Sequence, residues 1–209
     1  IQYSAGINGM RKVEISGGTV TGTGGDTEAG DSFGICTGDT TAADPVQLTI
    51  QNATVTATGG AAPSGNSSGI FATDTIADVE VTIENAAVTA TGGTAGTGSS
   101  YGILAETTGT DKSAEVTING NSVVRANMTG AEGGDGETIS GTTVNRESGI
   151  IFENGVGTVY GTVTLREDLT VGADERLTIP RGATLTIPEG KTLTNSGVIT
   201  NEGTLTNNG

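Results

Sequence analysis

One phrase occurs four times in this chain, and its recurrence restricts the fold more than any other feature. Val13–Gly25 reads VEISGGTVTGTGG, Leu48–Gly60 reads LTIQNATVTATGG and Val81–Gly93 reads VTIENAAVTATGG; a worn copy, VTINGNSVVRAN, runs from Val116 to Asn127. A second phrase built on Gly-Ile alternates with it: SAGI at Ser4, SFGI at Ser32, SSGI at Ser67, SYGI ending at Ile103 and ESGI at Glu147. Self-similarity at a period of about 33–35 residues means that one small unit stacks on the next.

The unit is strand-like. Val13/Ile15, Leu48/Ile50, Val81/Ile83 and Val116/Ile118 alternate with Glu14, Thr49, Thr82 and Thr117. A period of two sends the aliphatic residues inward and the polar ones outward. Gly17, Asn52, Asn85 and Gly120 then align in a short turn; Gly and Asn tolerate left-handed backbone angles. A second strand is expected around Val20, Val55, Val88 and Val123. The Gly-Ile phrase supplies a third, with Ile7, Ile35, Ile70, Ile103 and Ile150 in one column. Three short strands per repeat, each paired with its equivalent one repeat later, predict an all-β fold: a right-handed parallel β-helix, a single continuous solenoid. Its narrow interior suits a chain of three Tyr, three Phe and no Trp, since there is no wide core for aromatics to fill.

The period divides the chain. Residues 1–154 read as a β-helix decorated by Gly/Ser/Asp-rich loops at 22–32, 59–68, 92–100 and 129–143. Residues 155–209 read as a tighter continuation with coils of about 20–22 residues, closed by Pro180, Pro188 and N-x-G turns at Asn195, Asn201 and Asn207. The sequence opens and stops inside its own pattern, so it reads as part of a longer protein.

Charge and composition exclude whole classes of function. A net charge of −15, from 24 acidic and 9 basic residues, disfavours nucleic acid and anionic lipid. No apolar run reaches membrane-spanning length. The absence of histidine removes the usual neutral-pH base and most zinc or copper sites. The single cysteine, Cys36, rules out an internal disulfide. Carboxylates remain as possible glycosidase groups, but they scatter over loops and outward positions, so catalysis is disfavoured without being excluded.

The densest acidic loops, Asp26/Glu28/Asp31 and Glu132/Asp135/Glu137, have the oxygen donors that calcium takes. Solvated loop charge is the reading favoured over a metal site. The residues after each Gly-Ile (Asn8, Cys36, Phe71, Leu104 and Ile151) form a mostly apolar column that alternation turns outward, either as a surface for self-association or as a stripe that a loop covers. Phe33 and Tyr101, just before Gly-Ile, offer ring faces for sugars. Arg125 stands where the other copies carry a Gly or Ala. Phe33, Phe71, Tyr101 and Arg125 are therefore the candidate ligand-binding residues. Outward Thr-x-Thr pairs, such as Thr54/Thr56, resemble ice-binding arrays, but the strand propensity of threonine explains them.

The phrases ISGGTVTGTGG, TVTATGG and SSGIFA resemble the repeats of secreted proteins from anaerobic, often gut-dwelling bacteria. Among these is a carbohydrate-binding β-helix family of plant-wall-degrading clostridia. The tail from LTIPRGATLTIPEG to LTNNG is similar to stalk-like segments of bacterial surface proteins and adhesins. The resemblance implies a secreted or cell-surface module that binds polysaccharide or host glycan, with calcium assisting. A purely structural stalk and a polysaccharide-degrading enzyme are the alternatives.

Overall fold

The computed structural model describes residues 3–39, 41, 43–129 and 138–209. Strands arrive in triplets. The first repeat gives β1 (Tyr3–Gly9), β2 (Lys12–Ser16) and β3 (Thr19–Thr23). The second gives β4 (Asp31–Asp39), β5 (Val46–Gln51) and β6 (Thr54–Thr58); the third, β7 (Ser67–Asp74), β8 (Val79–Glu84) and β9 (Ala87–Gly92). The fourth gives β10 (Ser100–Thr107), β11 (Ala114–Asn119) and β12 (Val123–Met128). Then follow β13 (Ile139–Ser140), β14 (Thr143–Arg146) and β15 (Gly149–Glu153). Equivalent strands pair in parallel, so three sheets form: β1-β4-β7-β10-β13, β2-β5-β8-β11-β14, and a third that begins β3-β6-β9-β12-β15. The fold is all-β, with no helix among the described residues.

Register follows the repeated phrases. Val13, Leu48, Val81 and Val116 form one column, and Ile15, Ile50, Ile83 and Ile118 another. From Leu48 onward these side chains are at most 1% exposed, so each stabilises the fold by roughly 2 kcal/mol. The turns between second- and third-sheet strands hold Gly17, Asn52, Asn85 and Gly120 at φ of 73°, 52°, 49° and 68°. Side-chain ladders then tie one repeat to the next. Ser32 Oγ donates to Gly25 O and accepts from Gly60 N; Ser67 Oγ does the same between Gly60 O and Gly93 N.

Four of the five Gly-Ile glycines, Gly6, Gly34, Gly69 and Gly102, sit where a first-sheet strand presses on a third-sheet strand. A methyl group on Gly69 would fall 2.5 Å from Thr91 N and 2.8 Å from Ala57 O, and one on Gly102 would fall 2.7 Å from Ala126 Cβ. Gly6 and Gly34 meet Thr23 and Thr58 in the same way. Only hydrogen fits there.

Two columns differ from the sequence reading. Val88 pairs with Val124, not Val123, which aligns with Ala87 on the outer face. The fourth turn, Asn119–Ser122, is one residue longer than its counterparts and shifts everything after it. Ile103 pairs with Ile139, so the fifth inward isoleucine of the first sheet is Ile139. The ESGI phrase lies instead in the third sheet, where Ile150 pairs with Val123.

The core is also not continuous. β15 turns back at Asn154–Gly155, whose φ values are 48° and 79°, into the antiparallel strand β16 (Val156–Tyr160). Two left-handed residues make the tight hairpin that Asn-Gly favours. Beyond it run β17 (Thr162–Thr164), β18 (Leu169–Val171), β19 (Arg176–Ile179), β20 (Thr184–Ile187), β21 (Leu193–Asn195), β22 (Val198–Asn201) and β23 (Thr204–Asn207). β16-β19-β22 extend the third sheet, while β17-β20-β23 and β18-β21 form two new ones. Adjacent residues of β15 serve different cores. Ile151 belongs to the first cluster with Val124 and Ala126; Ile150 and Phe152 belong to a second with Val159, Leu177 and Ile179. The two cores therefore lie on opposite faces of the shared sheet.

The glycine column yields a direct test. Gly69→Ala is expected to cost about 3 kcal/mol, because overpacking against backbone cannot relax, whereas Gly182→Asn, which has open space and φ +87°, is expected to cost under about 1 kcal/mol. Urea unfolding midpoints of the two variants check this; equal midpoints would remove the close approach as the reason for the glycine.

Candidate ligand site

The first-sheet strands bend at their glycines, and the bend shapes the outer face. Phe33 and Ile35 share a parity, yet Ile35 is in the core while Phe33 packs outside with Cys36, Phe71 and Leu104. Phe33 and Phe71 are three register positions apart, about 10 Å along a straight strand. Their rings nevertheless stack at 4.3 Å and 14°. Asn8 Nδ2 donates to Tyr3 Oη at 2.7 Å across five residues of β1. An outer face that draws such residues together is concave.

A cavity of about 500 Å³ occupies this concavity, within the size range of small-ligand sites. Tyr3, Phe33 and Phe71 supply aromatic wall, and Met10 and Cys36 add apolar surface. Tyr3 also packs on Phe33 at 6.2 Å and 44°. Asn8, Asp31, Thr37, Thr73 and Asp74 are the main polar lining. Asn8 bridges two of the walls, since its Oδ1 accepts from Cys36 Sγ at 3.3 Å. Burial pushes the Cys36 thiol up to about 11, so it is a neutral wall residue and not a nucleophile.

Polar groups at the far end are incompletely used. Thr37 and Asp74 are each 1% exposed. Asp74 Oδ1 accepts from the Ile76 and Ala77 amides, but its Oδ2 and the Thr37 hydroxyl have no partner among the described residues. On the neighbouring strand Glu106 pairs in register with Thr73. Although its side chain is exposed, desolvation by surrounding protein and then the charge of Asp31 raise its pKa, against the Thr73 hydroxyl, which lowers it.

The structure sorts the residues singled out from sequence. Phe33 and Phe71 line the cavity; Tyr101, half-buried, packs against their cluster. The column after Gly-Ile does face outward through Cys36, Phe71 and Leu104, but it is covered laterally and only 5–8% exposed. It is not an open apolar stripe. Ile151 leaves that column altogether and enters the core. Asp31 lines the cavity while its Oδ1 accepts from Asn66 N, just as Asn66 Oδ1 accepts from Ser99 N in the next repeat. Asp26 Oδ1 accepts from Ala61 N, and Glu28 is exposed. These acids organise stacked loops, and no group of three carboxylates able to hold a cation occurs among the described residues. Glu132, Asp135 and Glu137 lie outside the described residues.

Arg125 stands elsewhere and does a different job. Its guanidinium lies 4.5 Å from the Phe152 ring centroid. Its Nε donates to Glu175 Oε1 at 3.1 Å and its Nη2 to Thr170 O at 2.7 Å. Burial raises the Glu175 pKa, but the Arg125 and Gly172 hydrogen bonds outweigh it and the net shift is downward. Arg125 thus clamps the fourth repeat to the C-terminal strands. A second clamp lies nearby: Arg166 Nη1 donates to Asn52 Oδ1 and Asn85 O, and Glu167 accepts from Thr54. The gap between these groups is about 130 Å³, too small for a sugar ring with its hydroxyls.

Tyr3, Met10, Thr37, Thr73, Asp74 and Glu106 were not singled out from sequence, and Asn8 only as a member of the column after Gly-Ile. Tyr3 and Asn8 become visible only once the bend at Gly6 is known. Compared with known proteins, the chain matches no family model, no curated protein and no solved structure.

Two outcomes are expected. Arg125→Ala should destabilise the protein by about 2 kcal/mol, since it strands a partly buried carboxylate, and the loss should shrink as pH falls and Glu175 protonates. Glu106 carries the opposite sign. Its raised folded-state pKa makes ionisation costly, so native stability is lost as pH rises through that value. Glu106→Gln should therefore raise Tm at pH 7 and leave it unchanged at acid pH. Thermal melts at both pH values decide each case.

Proposed function

We propose that this chain is a non-catalytic glycan-binding module of a secreted or surface-anchored bacterial protein, and that the concave outer face of the first sheet is its binding site. The observation that carries this reading is the cavity of about 500 Å³ walled by Tyr3, Phe33 and Phe71 and edged by Asn8, Asp31 and Thr73. Aromatic faces beside hydrogen-bonding side chains suit a sugar ring, which has apolar C–H faces and a polar edge. The resemblance of the repeats to those of carbohydrate-binding surface proteins points the same way. Among the lining residues there is no histidine, lysine or arginine to serve as a base, which favours binding over cleavage.

The scaffold we infer is a right-handed parallel β-helix of about three strands per turn. Strands equivalent by sequence pair one repeat apart through four repeats, and parallel crossovers are overwhelmingly right-handed. The reversal at Asn154–Gly155 does not break the winding. Strand direction inverts there, but the core also changes to the other face of the shared sheet. Two inversions leave the sense of rotation the same. On this reading residues 1–154 present the site, and residues 155–209 form a tighter spacer clamped to their flank.

Retention on immobilised plant, mucin and host glycans, with and without chelator, tests the function. Binding to at least one glycan is expected. Tyr3→Ala should weaken it about fivefold, the value of one aromatic contact of roughly 1 kcal/mol; Tyr3 is 47% exposed, so the variant should fold. Retention should survive chelator, because Asp26 and Asp31 already serve backbone amides; loss in chelator would restore a role for calcium. No retention on any glycan by the folded protein would leave a structural stalk as the better description.

A further inference from the structure

We propose that the first-sheet cavity selects a protonated amine on its ligand, so that the glycan it takes carries unsubstituted amino sugars. The inference rests on the reading of this cavity as the glycan site. Among the described residues the lining contains two carboxylates, Asp31 and Asp74, and no lysine or arginine. Glu106, whose in-register neighbour Thr73 lines the cavity, adds a third acidic group at its margin. Three aromatic rings complete the wall, and the negative face of an aromatic ring attracts a cation.

The site is electrostatically unbalanced as it stands. Asp74 is 1% exposed and one of its oxygens has no hydrogen-bond partner among the described residues, nor has the equally buried Thr37 hydroxyl. Groups of that kind normally find partners. Asp31 and Glu106 add like charges that repel each other. A bound cation would relieve both conditions. A metal ion fits poorly, since no three carboxylates converge among the described residues and calcium takes six to eight oxygens. An ammonium group needs only two or three acceptors and tolerates an aromatic face. An amino sugar also brings a ring that the exposed lining residues Tyr3 and Met10 accommodate. A uronate would place its carboxylate against like charge, and an N-acetylated sugar would leave the acids unpaired.

Calorimetric titration of the whole chain with four probes distinguishes the possibilities: a glucosamine oligosaccharide, the N-acetylglucosamine oligosaccharide of the same length, a galacturonate oligosaccharide and a lysine-rich peptide. The glucosamine probe is expected to bind roughly tenfold more tightly than the acetylated one, the value of one charge-assisted hydrogen bond, and the galacturonate not to bind. The preference should contract at high salt and collapse in Asp31→Asn/Glu106→Gln. Asn at 31 can still accept the Asn66 amide, as Asn66 itself does for Ser99, so the variant should fold; a thermal melt confirms that it has. Equal or better binding of the acetylated or acidic probe overturns amine selection but leaves glycan binding intact. Binding of a lysine-rich peptide with no sugar bound overturns it in favour of a protein partner. A folded protein that binds none of the probes and none of the immobilised glycans defeats both readings.

Discussion

The structure depends on how closely two sheets approach each other. At Gly6, Gly34, Gly69 and Gly102 the first-sheet backbone lies so near the third sheet that no Cβ fits. That approach keeps the interior narrow, and the buried hydrophobic residues that fill it are Val, Ile, Leu and Ala, with Tyr160 the one ring packed against them among the described residues. Aromatic rings near this part of the chain must go outside. The same glycines are where the strands bend, and the bend makes the outer face concave. The scaffold and the cavity therefore share one cause. Rings excluded from the core are gathered by the bend into a wall, with Phe33 stacked on Phe71 and Tyr3 beside them.

The second constraint is the reversal at Asn154–Gly155. A simple continuation of parallel pairing would have left Ile150 and Phe152 facing solvent on the outer side of the third sheet. The hairpin turns that outer side into the inner wall of a second core, where Phe152 is fully buried and its ring occupies the space a side chain at Gly157 would need. The joint is then secured by charge. Arg125 and Arg166 both reach from one part to the other, and their partners are held in place by backbone geometry: Glu175 by the Gly172 amide, and Asn52 and Asn85 by their left-handed turns. Pairs like Arg125–Glu175 offset their desolvation only when extra hydrogen bonds are made, and Thr170 O provides one.

Where sequence reading succeeded and where it slipped have the same physical origin. A parallel ladder repeats its side-chain direction at each equivalent position, so Val81 and Ile83 reveal Leu48, Ile50, Val116 and Ile118. That inference survives only while repeats keep their length. One extra residue in the turn before Val123 exchanged Val123 for Val124, since a one-residue slip flips a strand's faces. The fifth Gly-Ile looked like the other four because the phrase was read without its sheet. The signal for the reversal was present: Asn-Gly between FE and VGTV is a hairpin signature, masked by a surrounding sequence rich in Gly and Asn. Arg125 stood out as an oddity of the worn copy, but no single sequence reveals a partner fifty positions away. Loop acids were legible as acids and not as amide acceptors, because that role depends on the loop stacked above.

Electrostatics decides what such a surface can attract. The charge of −15 is spread over the chain, and beyond about one Debye length, some 8 Å in physiological salt, exposed charges are screened. The global charge therefore discourages polyanions without choosing a ligand. Choice needs charges in a sheltered place, and the first-sheet concavity provides one. Asp74 is buried, so its field reaches the cavity less attenuated than field from the exposed Glu28 or Glu189. On the proposed reading, a neutral polysaccharide would gain only from the rings, and an amine-bearing one from both walls. The distinction is a local property of the bend, and it would disappear in a straight strand whose outward residues stood apart.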